Sequence, residues 1–257
     1  MTASLTPGRR RGVEILDEAS IDARDRERAH RDIERANFLF GGRRAMLLVL
    51  RPAFDELVAP GSAGSANRSP RPVAGAQPVA TLVDVGTGLA DIPWRAREIA
   101  RRRGLRLRTI GLDAAHILAA TARHRLDDAL CANALELPFP DLSVDVVLCS
   151  QLLHHFERED AVRLIAELHR VARRRVVIGD LRRSWVAAAG FWIASIALRF
   201  HPITRHDGTT SVLRGFTEDE LGNMVVAATG RQPAIRRRLG FRLTATWTTT
   251  CAMPDAR

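Results

Sequence analysis

The 257-residue chain has no lysine and no tyrosine, so every one of its 39 basic residues is arginine. A bias of that kind reads as codon composition and by itself says nothing about guanidinium chemistry. Cysteine is scarce as well: Cys131, Cys149 and Cys251 form an odd set with no C-x-x-C spacing. That placement argues against a disulfide framework and against a zinc site, and it suits a reducing cytosol. No metal ligands are read elsewhere. The first 20 residues contain no apolar h-region, so no secretory signal is read. Long hydrophobic runs are missing too. The longest, Trp185 to Leu198, has 14 residues, against the roughly 20 that span a bilayer, and is expected to form a buried or interfacial helix. A cytoplasmic location without a transmembrane span is the expectation, with peripheral membrane contact left open.

With 46% hydrophobic and 26% charged residues, the chain can bury one sizeable core and a small appendage. The net charge of +10 keeps nucleic acid and anionic membrane surfaces in view. Placement of the arginines weakens the nucleic-acid case. They gather in four dispersed triplets, Arg9 to Arg11, Arg101 to Arg103, Arg173 to Arg175 and Arg236 to Arg238. Two of these close predicted helices, where cations offset the negative end of the helix dipole, so solvated structural charge is the favoured reading.

Organisation follows from periodicity and breakers. A helix with a narrow apolar stripe is predicted over 20–40, ended by Gly41 and Gly42. A second apolar helix follows, with Pro52 expected to kink or divide it. Residues 60–78, rich in Pro, Gly, Ser and Ala, read as a mobile linker. Residues 1–59 are then a helical appendage or lid, and 79–257 the main domain. Within that domain strands are predicted at about 80–85, 106–112, 128–132, 144–150 and 175–180, with helices at about 92–103, 114–124 and 158–172. Apolar, β-branched strands such as Val144 to Ser150 suit a parallel sheet covered on both faces. The remainder reads as the apolar helix, a polar loop from His201 to Ser211, a helix capped by Thr217 and Glu220, and two closing strands around Leu239 and Gly240. No internal repeat is apparent.

The chemistry concentrates in "LVDVGTGLADIPWRAR", residues 82–97, a strand running into a glycine turn and a helix. A dinucleotide fingerprint would have a third glycine where Asp91 stands, and an acid, Asp84, precedes Gly86. A pyrophosphate here would meet the Asp84 carboxylate, whereas a cationic, phosphate-free nucleoside would be attracted to it. S-adenosylmethionine, with its sulfonium and α-ammonium, meets that requirement. Asp113 ends the second predicted strand, 29 residues after Asp84, where a carboxylate can accept both ribose hydroxyls. That contact suits NAD as well as adenosylmethionine.

The order "VDVGTG", "GLD", "NALELPFPDLSVDVVLCSQLLHHF" and "RVARRRVVIGDLRRS" resembles the class I S-adenosylmethionine-dependent methyltransferases, in particular the small-molecule branch that includes the quinone-biosynthesis enzymes. The resemblance covers about residues 79–183. It implies an α/β fold with a doubly wound, mostly parallel seven-stranded sheet, and S-adenosyl-L-methionine as cofactor. The implied cofactor-binding set is Asp84, Gly86, Thr87, Gly88, Asp113, Ala114, Asn133, Ala134 and Ser150. Asp84 would hold the ammonium end, Asp113 the ribose and Asn133 with Ala134 the adenine. Asn133 departs from the family's usual aspartate, keeping the acceptor and losing the charge. Asp91 is read as a favourable charge at a helix N-terminus.

For catalysis, methyl transfer needs orientation and at most a base for the acceptor. His155 and, in the late loop, His206 beside Asp207 are the candidates, while His154 is expected to pack or cap. The acceptor is expected to be small and apolar or aromatic, phenolic or quinone-like, because the helix after the fifth strand is apolar. A nucleic-acid methyltransferase is the alternative, weakened by the absence of an Asn/Asp-Pro-Pro-aromatic motif and of a Pro-Cys context. A catalytically silent binding protein is a further alternative.

Overall fold

The computed structural model describes residues 6–10, 12–18, 21–59 and 77–249. Most of the expected linker, 60–76, and Cys251 lie outside the described residues. Within them run α1 (Ala23–Leu39), α2 (Gly42–Val58), β1 (Val79–Val85), α3 (Asp91–Arg102), β2 (Arg106–Asp113), α4 (His116–Ala122), β3 (Asp128–Cys131) and β4 (Val144–Ser150). They continue with α5 (Arg158–Val171), β5 (Ala172–Leu181), α6 (Trp185–Ala197), α7 (Pro202–Arg214), α8 (Glu218–Thr229), β6 (Ala234–Arg238) and β7 (Arg242–Thr248). The strands form one seven-stranded sheet in the order β3-β2-β1-β4-β5-β7-β6. β1 to β5 are parallel, whereas β7 runs antiparallel to both β5 and β6.

The apolar strand sequences are buried on both faces, as a parallel sheet requires. Alternate residues of the central strands part between two layers: Val83, Val147 and Val176 join α5 and α8, while Leu82, Leu148 and Val177 join α2 and α3. The α2 residues Met46, Val49, Leu50 and Phe54 are buried in that second layer. This corrects the division at residue 59, because α2 is a wall of the main core rather than an appendage. Hydrophobic pattern identified the helix, but only packing could assign its partner. Pro52 does not divide α2. The carbonyl that its missing N–H leaves free belongs to Leu48, a residue on the exposed side of the helix.

A second correction concerns His201 to Ser211, where a helix, α7, stands in place of the expected loop. Polar composition masked it. Pro202 occupies the first turn, where a missing N–H costs nothing, and Asp32 on α1 accepts the His201 N–H at 2.7 Å. Gly208 lets α7 close on α6: a Cβ there would meet the Phe191 ring at 2.2 Å. Arg173 to Arg175 also differ from expectation, forming the start of β5 instead of a helix end. All three are paired, Arg173 with Asp145 at 2.6 Å, Arg174 with the same carboxylate at 3.5 Å and Arg175 with Glu56 at 2.5 Å. The Thr217–Glu220 capping box forms as read.

Candidate active site

The parallel strands end at one edge of the sheet, and the turns leaving β1, β2, β3 and β4 converge there on a cavity of about 1100 Å³. The first wall is backbone. After β1 the chain turns at Gly86, φ +74°, and Gly88, φ +52°, a left-handed region that glycine enters without strain. The Gly86 and Thr87 N–H groups donate to the Leu112 carbonyl at 2.8 and 3.0 Å, tying the turn to the end of β2. A Cβ on Gly86 would meet Leu152 at 2.9 Å, whereas one on Gly88 would meet nothing within 4 Å. Gly86 is therefore required by close packing and Gly88 leaves space on the cavity side.

The carboxylates are set by this turn. Asp113 accepts the Gly88 N–H on Oδ2 and the Ala115 N–H on Oδ1, both at 2.9 Å, so its plane is fixed beside the glycines. Asp84 is buried, and its Oδ2 accepts the Thr87 hydroxyl at 2.9 Å. Its Oδ1 is buried without a partner. Burial pushes the Asp84 carboxyl up to about 8; the Thr87 hydrogen bond opposes the rise and the nearby Asp91 and Asp113 add to it. Such an orphaned oxygen at a cavity wall is what a cationic ligand would complete. Asp91 has a raised pKa as well, again chiefly from burial, and lines the cavity near Arg43.

All nine residues of the expected cofactor set line this cavity. Asn133 holds the β3 turn by accepting the Leu135 N–H at 3.0 Å. Ser150 ends β4, and Gln151 next to it takes φ +54°. Gln151 is fixed from both sides, donating to Asn37 of α1 at 2.5 Å and accepting from Arg242 of β7 at 2.9 Å. Burial lowers the Arg242 guanidinium to about 10 despite the nearby Asp180.

The two histidines that follow β4 differ. His154 is buried with Nδ1 2.6 Å from Asp180 Oδ1, while its backbone N–H donates to Oδ2 at 3.0 Å. Burial pushes the Asp180 carboxyl up, but the facing His154 and the hydrogen bonds together bring it below its ordinary value. His155 lines the cavity, with Nε2 3.8 Å from Glu14 Oε2. Its turn is clamped by arginines far away in sequence: Arg9 donates to the His154 and Phe156 carbonyls, and Arg214 to those of His154 and His155. His206 is a correction. Its ring is 52% exposed, bonds Asp207 at 2.8 Å and is absent from the cavity lining. The helix that replaces the expected loop turns His206 outward and Asp207 inward. Asp207 accepts the Ile15 and Leu16 N–H groups at 2.8 and 2.9 Å, which seats the N-terminal segment over the cavity.

For the opposite wall, sequence reading offered the apolar helix after the fifth strand and the N-terminal helices, without naming the residues that line it. Phe40 just after α1, Phe191 of α6 and Phe241 before β7 line it, together with Val186 and Val212. Glu14 lies here too, buried and bonded to Ser211 at 2.7 Å. Among the described residues Glu14, His154 and His155 each bring a donor atom within 4.8 Å of the others, a set that could hold a metal ion. The histidine pair was visible in sequence, but nothing there linked it to a glutamate 140 residues earlier.

Residues 83–178 match the protein-family model described as a methyltransferase domain. The match spans 96 of the 257 residues, from β1 into β5, and supports an enzyme that uses S-adenosylmethionine for methyl transfer. Two solved structures share its architecture. A chain of the Haloferax volcanii complex containing the Trm112 methyltransferase activator is 14% identical, over 90% of this chain and 99% of that one, with a TM-score of 0.55. A SAM-dependent methyltransferase from Thermotoga maritima is 13% identical over 87% of this chain and 99% of its own, with a TM-score of 0.52. At such identities the likeness is one of fold. No curated protein matches the chain in sequence.

Proposed function

We propose that the protein transfers the methyl group of S-adenosylmethionine to a small apolar or aromatic acceptor, phenolic or quinone-like, as in the quinone-biosynthesis branch that the motifs resemble. The observation that carries this reading is the two-sided cavity. A polar cradle of strand-end turns faces an apolar wall of Phe40, Phe191 and Phe241 in one continuous space. Its volume of about 1100 Å³ is enough for a nucleoside and a second molecule together.

In this reading the partnerless Asp84 oxygen receives the cofactor's ammonium end, and Asp113 accepts the ribose hydroxyls with lone pairs that its two backbone bonds leave over. Gly86, Thr87 and Gly88 supply close backbone approach, Ala114, Asn133 and Ala134 border the adenine, and Ser150 borders the methionine portion. When bound, the cofactor supplies a methyl group already activated on a sulfonium. The protein's contribution is then orientation, exclusion of water and removal of the acceptor's proton. His155 is the residue we assign to the proton. It lines the cavity, its backbone is clamped by Arg9 and Arg214, and Glu14 stands close enough to steady the charged imidazole. His154 positions that turn through Asp180. The N-terminal segment held by Asp207, with α1, acts as the cover over the acceptor half.

The test is a screen of phenols and quinols with methyl-labelled cofactor, preceded by calorimetry with S-adenosylhomocysteine. Binding of the homocysteine form and label transfer to at least one apolar phenol or quinol are expected. Absence of cofactor binding, or label appearing only in added RNA, would sink the proposal.

A further inference from the structure

The acceptor wall has an outer side. α6 begins at Ser184, whose side chain caps the helix, and its inner positions Ala187, Ala188 and Ser195 are buried. Phe191 packs edge-on against Phe40 at 5.7 Å and beside Phe200 at 6.4 Å. The outer positions are different. Trp185, Trp192, Ile193 and Ile196 are exposed and absent from the cavity lining, with Trp192 at 48%, Ile193 at 63% and Ile196 at 44%. Spacings of three, four and seven place them along one side of the helix. Elsewhere among the described residues, exposed large apolar residues stand singly or in pairs along the sequence. Four on one 13-residue helix form a patch that a water-facing surface does not explain.

The charge carried by the segment around the patch has a single sign. From Leu181 to His206 there are four arginines and no carboxylate. Arg183 is buried and paired with Glu220, but Arg199 follows the C-terminal end of the helix and Arg10 lies over the Trp185 ring at 4.6 Å. The carboxylates that approach this segment from α1 are engaged, Asp25 with the His201 ring and Asp32 with the His201 N–H. Two tryptophans in an apolar row flanked by guanidinium groups are suited to the boundary between lipid headgroups and acyl chains. No helix among the described residues is long and apolar enough to cross a membrane, so α6 would lie in the plane of that boundary.

We propose that the outer side of α6 docks on an anionic lipid bilayer. Val186 and Phe191 of the same helix line the cavity, so docking sets the acceptor side of the cavity directly against the membrane. An apolar acceptor dissolved in lipid then reaches the site without crossing water. That consequence rests on the proposed function; the docking does not, and it is measured without turnover.

The experiment is co-sedimentation of the full chain with vesicles of phosphatidylcholine alone and of phosphatidylcholine mixed with phosphatidylglycerol. The triple variant Trp192→Ser, Ile193→Ser, Ile196→Ser and the double variant Arg10→Gln, Arg199→Gln are run beside it. Wild type is expected to bind the anionic vesicles at least about tenfold more tightly than the neutral ones, and both variants to lose about tenfold. Raised salt should weaken wild type. Calorimetry with S-adenosylhomocysteine verifies that each variant is folded, and a wild type that failed that assay yet bound vesicles would overturn the proposed function while leaving docking intact. Docking is overturned if wild type stays in the supernatant with anionic vesicles, or if the triple variant binds as well as wild type. It is also overturned if light scattering finds a wild-type dimer that the triple variant dissolves and neither binds lipid, because a second copy then covers the patch.

Discussion

The two walls of the cavity are built by different means. On the sheet side, the turns after β1 and β2 hold each other through short bonds donated by backbone N–H groups: Thr87 to the Leu112 carbonyl, and Gly88 and Ala115 to the Asp113 carboxylate. Few side chains are involved, and the geometry follows from strand ends that any parallel sheet of this topology brings together. On the helical side, Phe40, Phe191 and Phe241 lie 50 to 201 residues apart in the chain, and the segment that covers them is held by contacts such as those of Asp207 with Ile15 and Leu16. The difference teaches where specificity would reside under the proposed function: the sheet wall would serve the cofactor, and the helical wall would be free to vary with the acceptor.

That contrast can be broken by substitution. Asp113→Ala should have the largest effect, since the ribose would lose two hydrogen bonds to a charged group. We expect the dissociation constant for S-adenosylhomocysteine to rise by about 3 kcal/mol, or on the order of a hundredfold. Calorimetry showing less than a threefold change would remove Asp113 from the cofactor wall. His155→Gln should leave that constant unchanged while turnover falls by about a hundredfold, the lower end for loss of a general base. Equal loss of binding and turnover would instead make His155 part of the cofactor wall.

Asp84 offers a pH-dependent test. Its pKa of about 8 lies above the ordinary 3.8, so the folded chain keeps a proton that the unfolded chain releases between those values. Stability from this group is present below 3.8 and lost as pH rises towards 8. Asp84→Asn should therefore flatten the decline in melting temperature over that window and weaken cofactor binding by about tenfold. In wild type, affinity for the cationic ligand should rise with pH up to about 8, with a proton released on binding at lower pH. Affinity that did not vary between pH 6 and pH 8 would refute the assignment of the ammonium end to Asp84.

Smaller effects sit on the helical wall. Asp207→Ala frees the Ile15 and Leu16 N–H groups, and we expect the acceptor KM to rise about fivefold with cofactor binding intact, as loss of about 1 kcal/mol of positioning implies. His206→Ala should change neither constant by more than about twofold, since an exposed surface substitution costs little. Steady-state kinetics showing a large fall for His206→Ala would restore it to the site and undo the contrast.

Much of the sheet wall was legible because its determinants are local. The glycines at 86 and 88, the acids at 84 and 113 and the strand patterns lie within short segments whose periodicity and turn chemistry can be read directly. The helical wall was not, for identifiable reasons. α7 carries polar residues that read as a loop, and its helical state depends on Asp32 at its first turn and on Gly208 against Phe191. Glu14 looks like one charge among many until Ser211 and Arg214 bury it beside the two histidines. The apolar pattern of α2 showed that it buries one face but not that the face it covers is the central sheet.

By itself, the sequence determined the alternation of strand and helix, the glycine turn and a charge pattern hostile to a pyrophosphate, because these depend on neighbours a few residues apart. Only tertiary structure decided that α2 closes the core, that Asp207 rather than His206 faces inward, and that α6 offers one side to the cavity and the other to the surroundings. Those outcomes depend on which distant surfaces meet, a choice made by the packing of whole elements, and no local pattern of side chains contains it.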